Sequence, residues 1–195
     1  NYPFEWIGGG SSPDPSSDTY RGPSPGSEPE TQALMSFINS REFVTHQTLH
    51  TYSNLTLYPW GYTTQPSPDD ALFEHMATIM AQYNGYEIGT APDLLYAVNG
   101  VTSDWAYAAG EGHDPILSFS NEIGTTGFWP DFSERDALFQ DNVWPMLYLM
   151  MAAGAYPHVQ DAVATDTEGG LLEPGDSGLL AFDLVNHGAT ESLDG

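Results

Sequence analysis

The chain has no cysteine and no lysine among its 195 residues. Without cysteine there is no disulfide framework and no thiolate metal site. Secretion stays open, because a domain of this size need not be stapled. Arg21, Arg41 and Arg135 stand alone against 27 Asp and Glu, for a formal net charge of −24. Phosphate contacts need Lys and Arg, so generic nucleic-acid binding is excluded. Acidity on this scale favours solubility at the cost of self-repulsion that salt relieves, and it fits a salt-rich habitat. No apolar run approaches a membrane span, which excludes a membrane partner of that kind. The opening Asn1-Tyr2-Pro3-Phe4-Glu5-Trp6 has neither an initiator Met nor a signal-peptide pattern, so the expectation is a chain that begins in mid-protein.

What is present suits a folded domain: 40% of residues are hydrophobic and 13% aromatic, enough for a real core. Residues 8–29 are rich in Gly, Ser, Pro and Asp and read as a long ordered coil. Ser27-Glu28-Pro29-Glu30 then opens a helix that Ser27 can cap, with Leu34, Phe37 and Ile38 as its buried stripe. Residues 43–52 and 54–58 read as extended segments. Pro66-Ser67-Pro68-Asp69-Asp70 caps a helix over 71–83, which Asn84-Gly85 stops. A buried strand is predicted over 116–122, and a long apolar helix over 134–153 with Pro145 inside it, where a kink is expected. Alternating helices and strands indicate a layered α/β domain. Past Gly154 the composition becomes acidic and small, so 155–175, with 161–170 the clearest part, reads as a linker. The segment from 176 to 195 then resembles the opening strand of a β-sandwich, ending before any partner strand.

Three blocks carry the chemistry. His50-Thr51-Tyr52-Ser53-Asn54-Leu55-Thr56-Leu57-Tyr58-Pro59-Trp60-Gly61-Tyr62 ends a strand on an imidazole, well placed to present a nitrogen to an ion above a sheet. A lone His would more often be a hydrogen-bonded core residue, but the block closely resembles the His-(Ser/Thr)-Tyr-Ser…Leu-Tyr-Pro-(Tyr/Trp)-Gly-Tyr segment of the zinc carboxypeptidases, the funnelins typified by carboxypeptidases A, B and T. Tyr96, Gly100 and Ser103-Asp104-Trp105-Ala106-Tyr107 resemble that family's Tyr…Gly…Asp-Trp-x-Tyr in order and spacing. Ile116-Leu117-Ser118-Phe119-Ser120-Asn121-Glu122 resembles its buried strand ending in the catalytic Glu. Read from the residues alone, an ionised carboxylate closing an apolar strand is costly unless a metal, a cation or a raised pKa compensates, and that suits a general base. Gly127-Phe128-Trp129-Pro130 resembles the family's Gly-Phe-(aromatic)-Pro turn, and the resemblance runs from residue 1 to about 154.

The resemblance implies the C-terminal portion of a mixed, mostly parallel sheet flanked by helices, occupying 1–154. It implies a secreted, bacterial zinc metallocarboxypeptidase acting on the C-termini of peptides and proteins. His50 would be one zinc ligand and Glu122 the base. Tyr96 would bind the terminal carboxylate, with Thr51, Tyr52 and Phe128 along the substrate cleft. The terminal side-chain pocket would be lined by Leu57, Leu95, Val98, Ser103 and Ser120. No acid stands where basic-specific relatives carry Asp, so an apolar or aromatic terminal residue is expected, with Asp93 the residue that a shifted loop could turn inward.

The family's other two zinc ligands come from a His-x-x-Glu motif, and none of His46, His75, His113, His158 and His187 is followed by Glu three residues later. The expectation is therefore a partial catalytic domain, inactive by itself, whose partner is its own N-terminal half. Two departures from the family, the long segment 108–121 with Gly110-Glu111-Gly112-His113-Asp114-Pro115 and the polar Asn121, put loop geometry in question. His113 and His158 are expected to be solvated, and Asp69-Asp70 is a candidate for calcium or for helix capping. A non-catalytic peptide-binding module of the same fold is the alternative, against which the joint presence of His50, Tyr96 and Glu122 counts. An acidic adhesion or carbohydrate-binding piece has only composition and the terminal β-like segment behind it.

Overall fold

The computed structural model describes residues 1–108, 110–155, 157–166 and 178–189. They fall into two units, Asn1–Met150 and Met151–Gly195. The first is built on a four-stranded sheet of β1 (Thr45–His50), β2 (Leu55–Leu57), β3 (Glu87–Gly89) and β4 (Leu117–Glu122), in the spatial order β1-β4-β2-β3. β1 runs parallel to β4 and β2 parallel to β3, while β2 and β4 are antiparallel. The sheet is thus mixed and mostly parallel, as the family resemblance implies. Its helices are α1 (Pro29–Asn39), α2 (Asp70–Asn84), the single turn α3 (Ala91–Leu94), α4 (Thr102–Tyr107) and α5 (Arg135–Ala152), the last entered through a 3-10 turn at Phe132–Glu134.

Aromatic rings fill the space between helices and sheet. Phe73 of α2 is completely buried, stacked on Tyr58 and edge-on to Tyr107 and Phe119. A second cluster joins Trp105 and Ala106 of α4 to Tyr2, Ile38 and Ile116. Burying one such ring removes enough apolar surface to be worth about 2–3 kcal/mol, so these contacts fix where α2 and α4 sit. Gly85 takes the left-handed conformation at φ 69 that closes α2.

Helix starts and faces differ in detail from the sequence reading. Ser27 does not cap α1: Glu28 holds that position without a side-chain cap, and the Ser27 hydroxyl donates to the Glu28 carboxylate at 2.8 Å. The buried stripe of α1 is rotated to Thr31, Met35 and Ile38, since that face meets the Trp105 cluster. Leu34 and Phe37 are left exposed, and Phe37 is covered by the Arg41 guanidinium at 4.0 Å. Asp69 occupies the cap position of α2, but its carboxylate accepts the Tyr107 hydroxyl at 2.7 Å instead of capping. Burial and that carboxylate push the Tyr107 phenol up to about 12.

In the second unit, β5 (Pro157–Asp166) and β6 (Gly178–Asn186) form an antiparallel pair with a register break between Gln160 and Val163. Residues 161–166, expected as linker, are therefore strand; Val159, Val163 and Thr165 supply the β-branched positions that outweigh the acidic ones. The terminal β segment likewise has a partner strand, which precedes it. The remainder of the expected linker, 167–177, and residues 190–195 lie outside the described residues. Among the described residues no helix is long and apolar enough to cross a membrane.

A buried carboxylate helps hold the loop after β2 to α4. The buried Asp104 carboxylate accepts the Gly61 N–H with both oxygens, at 2.9 and 3.0 Å. A Cβ on Gly61 would fall 2.7 Å from Val98 Cγ2, so only glycine permits this approach. Desolvation pushes the Asp104 carboxyl up from 3.8 to about 7, against the downward pull of the Gly61 and Tyr62 N–H groups. The folded state then binds the proton more tightly than the unfolded chain. Stability from this group is full below pH 4 and is lost as pH rises towards 7, by at most about 4 kcal/mol at 1.36 kcal/mol per pH unit. In urea melts between pH 4 and 8, Asp104→Asn should remove that component of the decline relative to wild type; parallel curves would show that Asp104 ionises normally.

Candidate active site

The parallel register of β1 and β4 pairs His50 with Glu122 and Thr48 with Ser120. Side chains two apart on a strand share a face, so all four open on the same side of the sheet. They line one wall of a cavity of about 370 Å³. Leu57 at the end of β2, Leu95, Tyr96 and Val98 after α3, and Ser103 of α4 complete it. The structure thus gathers His50, Leu57, Leu95, Tyr96, Val98, Ser103, Ser120 and Glu122 into one cleft. Thr51, Tyr52 and Phe128 are not part of its lining. Tyr52 and Phe128 meet edge to face, with ring centres 5.2 Å apart, on the segments that follow His50 and Glu122.

The two strand ends are tied together past the last paired residues. Ile123 N–H donates to the His50 carbonyl at 2.8 Å, and Ser53 N–H to the Gly124 carbonyl at 2.7 Å. Asn54, at φ 56, then turns the chain into β2. Tyr96 is 67% exposed, so packing leaves its ring free to meet a ligand at the cleft mouth. Burial raises the Glu122 carboxyl above its ordinary value, and the charge of nearby His50 partly offsets the rise.

Both departures from the expected pattern point away from this cleft. Asn121 faces the opposite side of β4, fully buried, with its amide donating to Thr56 Oγ1 at 3.3 Å. The 110–115 segment folds against α4: Trp105 Nε1 donates to Glu111 at 3.1 Å, and His113 sits edge-on to Trp105 at 4.7 Å. His113 is therefore half-buried and not solvated, because the indole offers it an apolar face. The side chain of His158 lies outside the described residues. His46 bonds to Ser118 Oγ at 2.7 Å, and burial lowers its pKa, consistent with a structural role. Thr48, Asn1 and Thr102 are polar lining residues that the sequence reading does not single out. For Thr48 the signal is its distance of two from His50 on the same strand.

His50 offers one imidazole nitrogen and Glu122 one carboxylate, whereas catalytic zinc takes three protein ligands. Among the described residues no group of three His, Cys, Asp or Glu could hold a metal ion. The donor set fits one ligand of a zinc site with a base beside it, and no more.

Comparison with known proteins bears on the family and the fold. The sequence model described as zinc carboxypeptidase matches residues 1–143. Over 128 residues the chain is 36% identical to carboxypeptidase A1 of Rattus norvegicus, covering 60% of this chain and 29% of the rat protein. Over 142 residues it is 35% identical to a metallocarboxypeptidase A-like protein of Trichophyton verrucosum, covering 66% and 33%. The chain therefore spans a third or less of the length of either relative. Among solved structures, bovine thrombin-activatable fibrinolysis inhibitor in complex with tick carboxypeptidase inhibitor aligns with a TM-score of 0.68 at 24% identity, over 76% of this chain and 53% of that one. Carboxypeptidase A from Helicoverpa armigera aligns at 0.66 and 23% identity, over 78% and 40%. At such identities these structures speak for the fold.

The Glu122 environment can be read directly. In a carboxyl-carbon NMR titration of the metal-free chain, Glu122 should titrate above 4.5, and His50→Ala should raise the midpoint further. A wild-type midpoint at or below 4.5 would mean that burial does not outweigh the His50 charge.

Proposed function

The chain belongs to the zinc carboxypeptidase family, and on that premise we propose that it carries the terminal side-chain pocket, one metal ligand and the general base of a peptidase that removes C-terminal residues. The pairing of His50 with Glu122 at the rim of a single cavity carries this reading. In it, His50 holds the zinc through one ring nitrogen, and the remaining ligands lie beyond the described residues, among which no group of three donors occurs. Zinc, when bound, supplies Lewis acidity towards water and the scissile carbonyl.

The chain's own residues do the rest. Glu122 takes a proton from the attacking water and returns it to the leaving amine nitrogen, a role that its raised carboxyl suits. The Tyr96 hydroxyl donates to the terminal carboxylate of the peptide. Leu57, Leu95 and Val98 enclose the terminal side chain, with Ser103 and Ser120 as uncharged polar neighbours. Asp93 is absent from the lining and accepts the Thr90 hydroxyl at 2.8 Å, which supports an apolar or aromatic terminal residue over a basic one.

Calorimetric titration of the 195-residue chain with zinc should show no stoichiometric submicromolar site, and finding one would contradict the shared-ligand reading. In the zinc-loaded polypeptide that includes the remaining ligands, Glu122→Gln should lower kcat by about 10²–10⁴ with little change in KM. Peptides ending in Phe should be cleaved faster than those ending in Arg; the reverse order would overturn the pocket assignment.

A further inference from the structure

Thr48 lies two residues before His50 on β1, and its Oγ1 is 3.1 Å from His50 Nε2. Both line the cavity, in register with Ser120 and Glu122. We propose that Thr48 is a positioning residue for His50: its hydroxyl accepts the Nε2 proton and leaves Nδ1 as the nitrogen free to bind a metal. This rests on the ligand role proposed for His50.

A neutral imidazole carries one N–H and one lone pair, and only the lone pair can bind a metal. An imidazole that exchanges tautomers freely presents the wrong nitrogen for part of the time and must be ordered on binding. A hydroxyl beside Nε2 lowers both penalties when its own proton is turned away from the ring and its lone pair accepts the Nε2 proton, the role that carboxylate and carbonyl partners of a non-ligating ring nitrogen play. Threonine suits the task because its β-branch restricts χ1. The strand then sets the height of the hydroxyl, since residues two apart rise together on one face.

Valine keeps the shape of Thr48 and loses the hydroxyl, whereas serine keeps the hydroxyl and loses the branch. Long-range proton–nitrogen NMR of the metal-free protein should show His50 protonated at Nε2 in wild type and Thr48→Ser, and a mixture of tautomers in Thr48→Val. In the zinc-binding polypeptide, chelator competition should give an affinity about 10-fold weaker for Thr48→Val and near wild type for Thr48→Ser. Protonation at Nδ1 in the wild type, or an unchanged tautomer in Thr48→Val, would overturn the proposal. An unchanged zinc affinity in His50→Ala would instead remove the ligand role, a result that the metal-free spectra distinguish from failure of the Thr48 contact.

Discussion

The parallel ladder between β1 and β4 is the constraint on which the cleft depends. Because the two strands run in the same direction and in register, both end at the same edge of the sheet, and their last residues are His50 and Glu122. The backbone hydrogen bonds beyond them, from Ile123 to the His50 carbonyl and from Ser53 to the Gly124 carbonyl, stop the ends from splaying. A slip of one residue would turn His50 and Glu122 to opposite faces. The geometry of the candidate site is in this sense backbone geometry, and the side chains inherit it.

The walls of the cleft depend on a different kind of contact. Leu57 arrives on β2, whereas Leu95, Tyr96, Val98 and Ser103 arrive on the chain between α3 and α4. The link between them is the buried Asp104 carboxylate gripping the Gly61 N–H, with Val98 packed too closely for any residue larger than glycine at 61. Apolar packing of Phe73 and Trp105 holds the helices against the sheet, and this clasp, with the Val98 N–H donating to the Gly61 carbonyl at 2.8 Å, sets how the loop meets them. A chain carrying a net charge of −24 has still placed one of its acids where water cannot reach it.

The motif blocks make the sheet and eight of the residues gathered around the cavity legible, because a motif constrains residue type and spacing over many positions at once. Features without that constraint were less legible. The apolar pattern of α1 permits more than one buried stripe, and only the position of Trp105 and Ile116 selects Thr31, Met35 and Ile38. The acidic segment at 161–166 looks like linker by composition, yet its alternate β-branched residues pair with β6. Thr48 was readable in principle from the strand period but has no motif of its own. Thr51, Tyr52 and Phe128 are outside the cavity lining; a motif places a segment, whereas the turns after His50 and Glu122 decide where each side chain points.

Asn121 and Glu122 are neighbours in sequence on opposite sides of the sheet. The amide of Asn121 is spent on Thr56 within the core, while the carboxylate of Glu122 faces the cleft. Adjacent positions therefore meet separate surroundings: a change at 121 is felt at Thr56 in the interior, and a change at 122 is felt in the cavity. A polar residue beside Glu122 thus leaves the cleft unaltered. It belongs to the interior behind the sheet, from which the pleat of the strand separates the cavity.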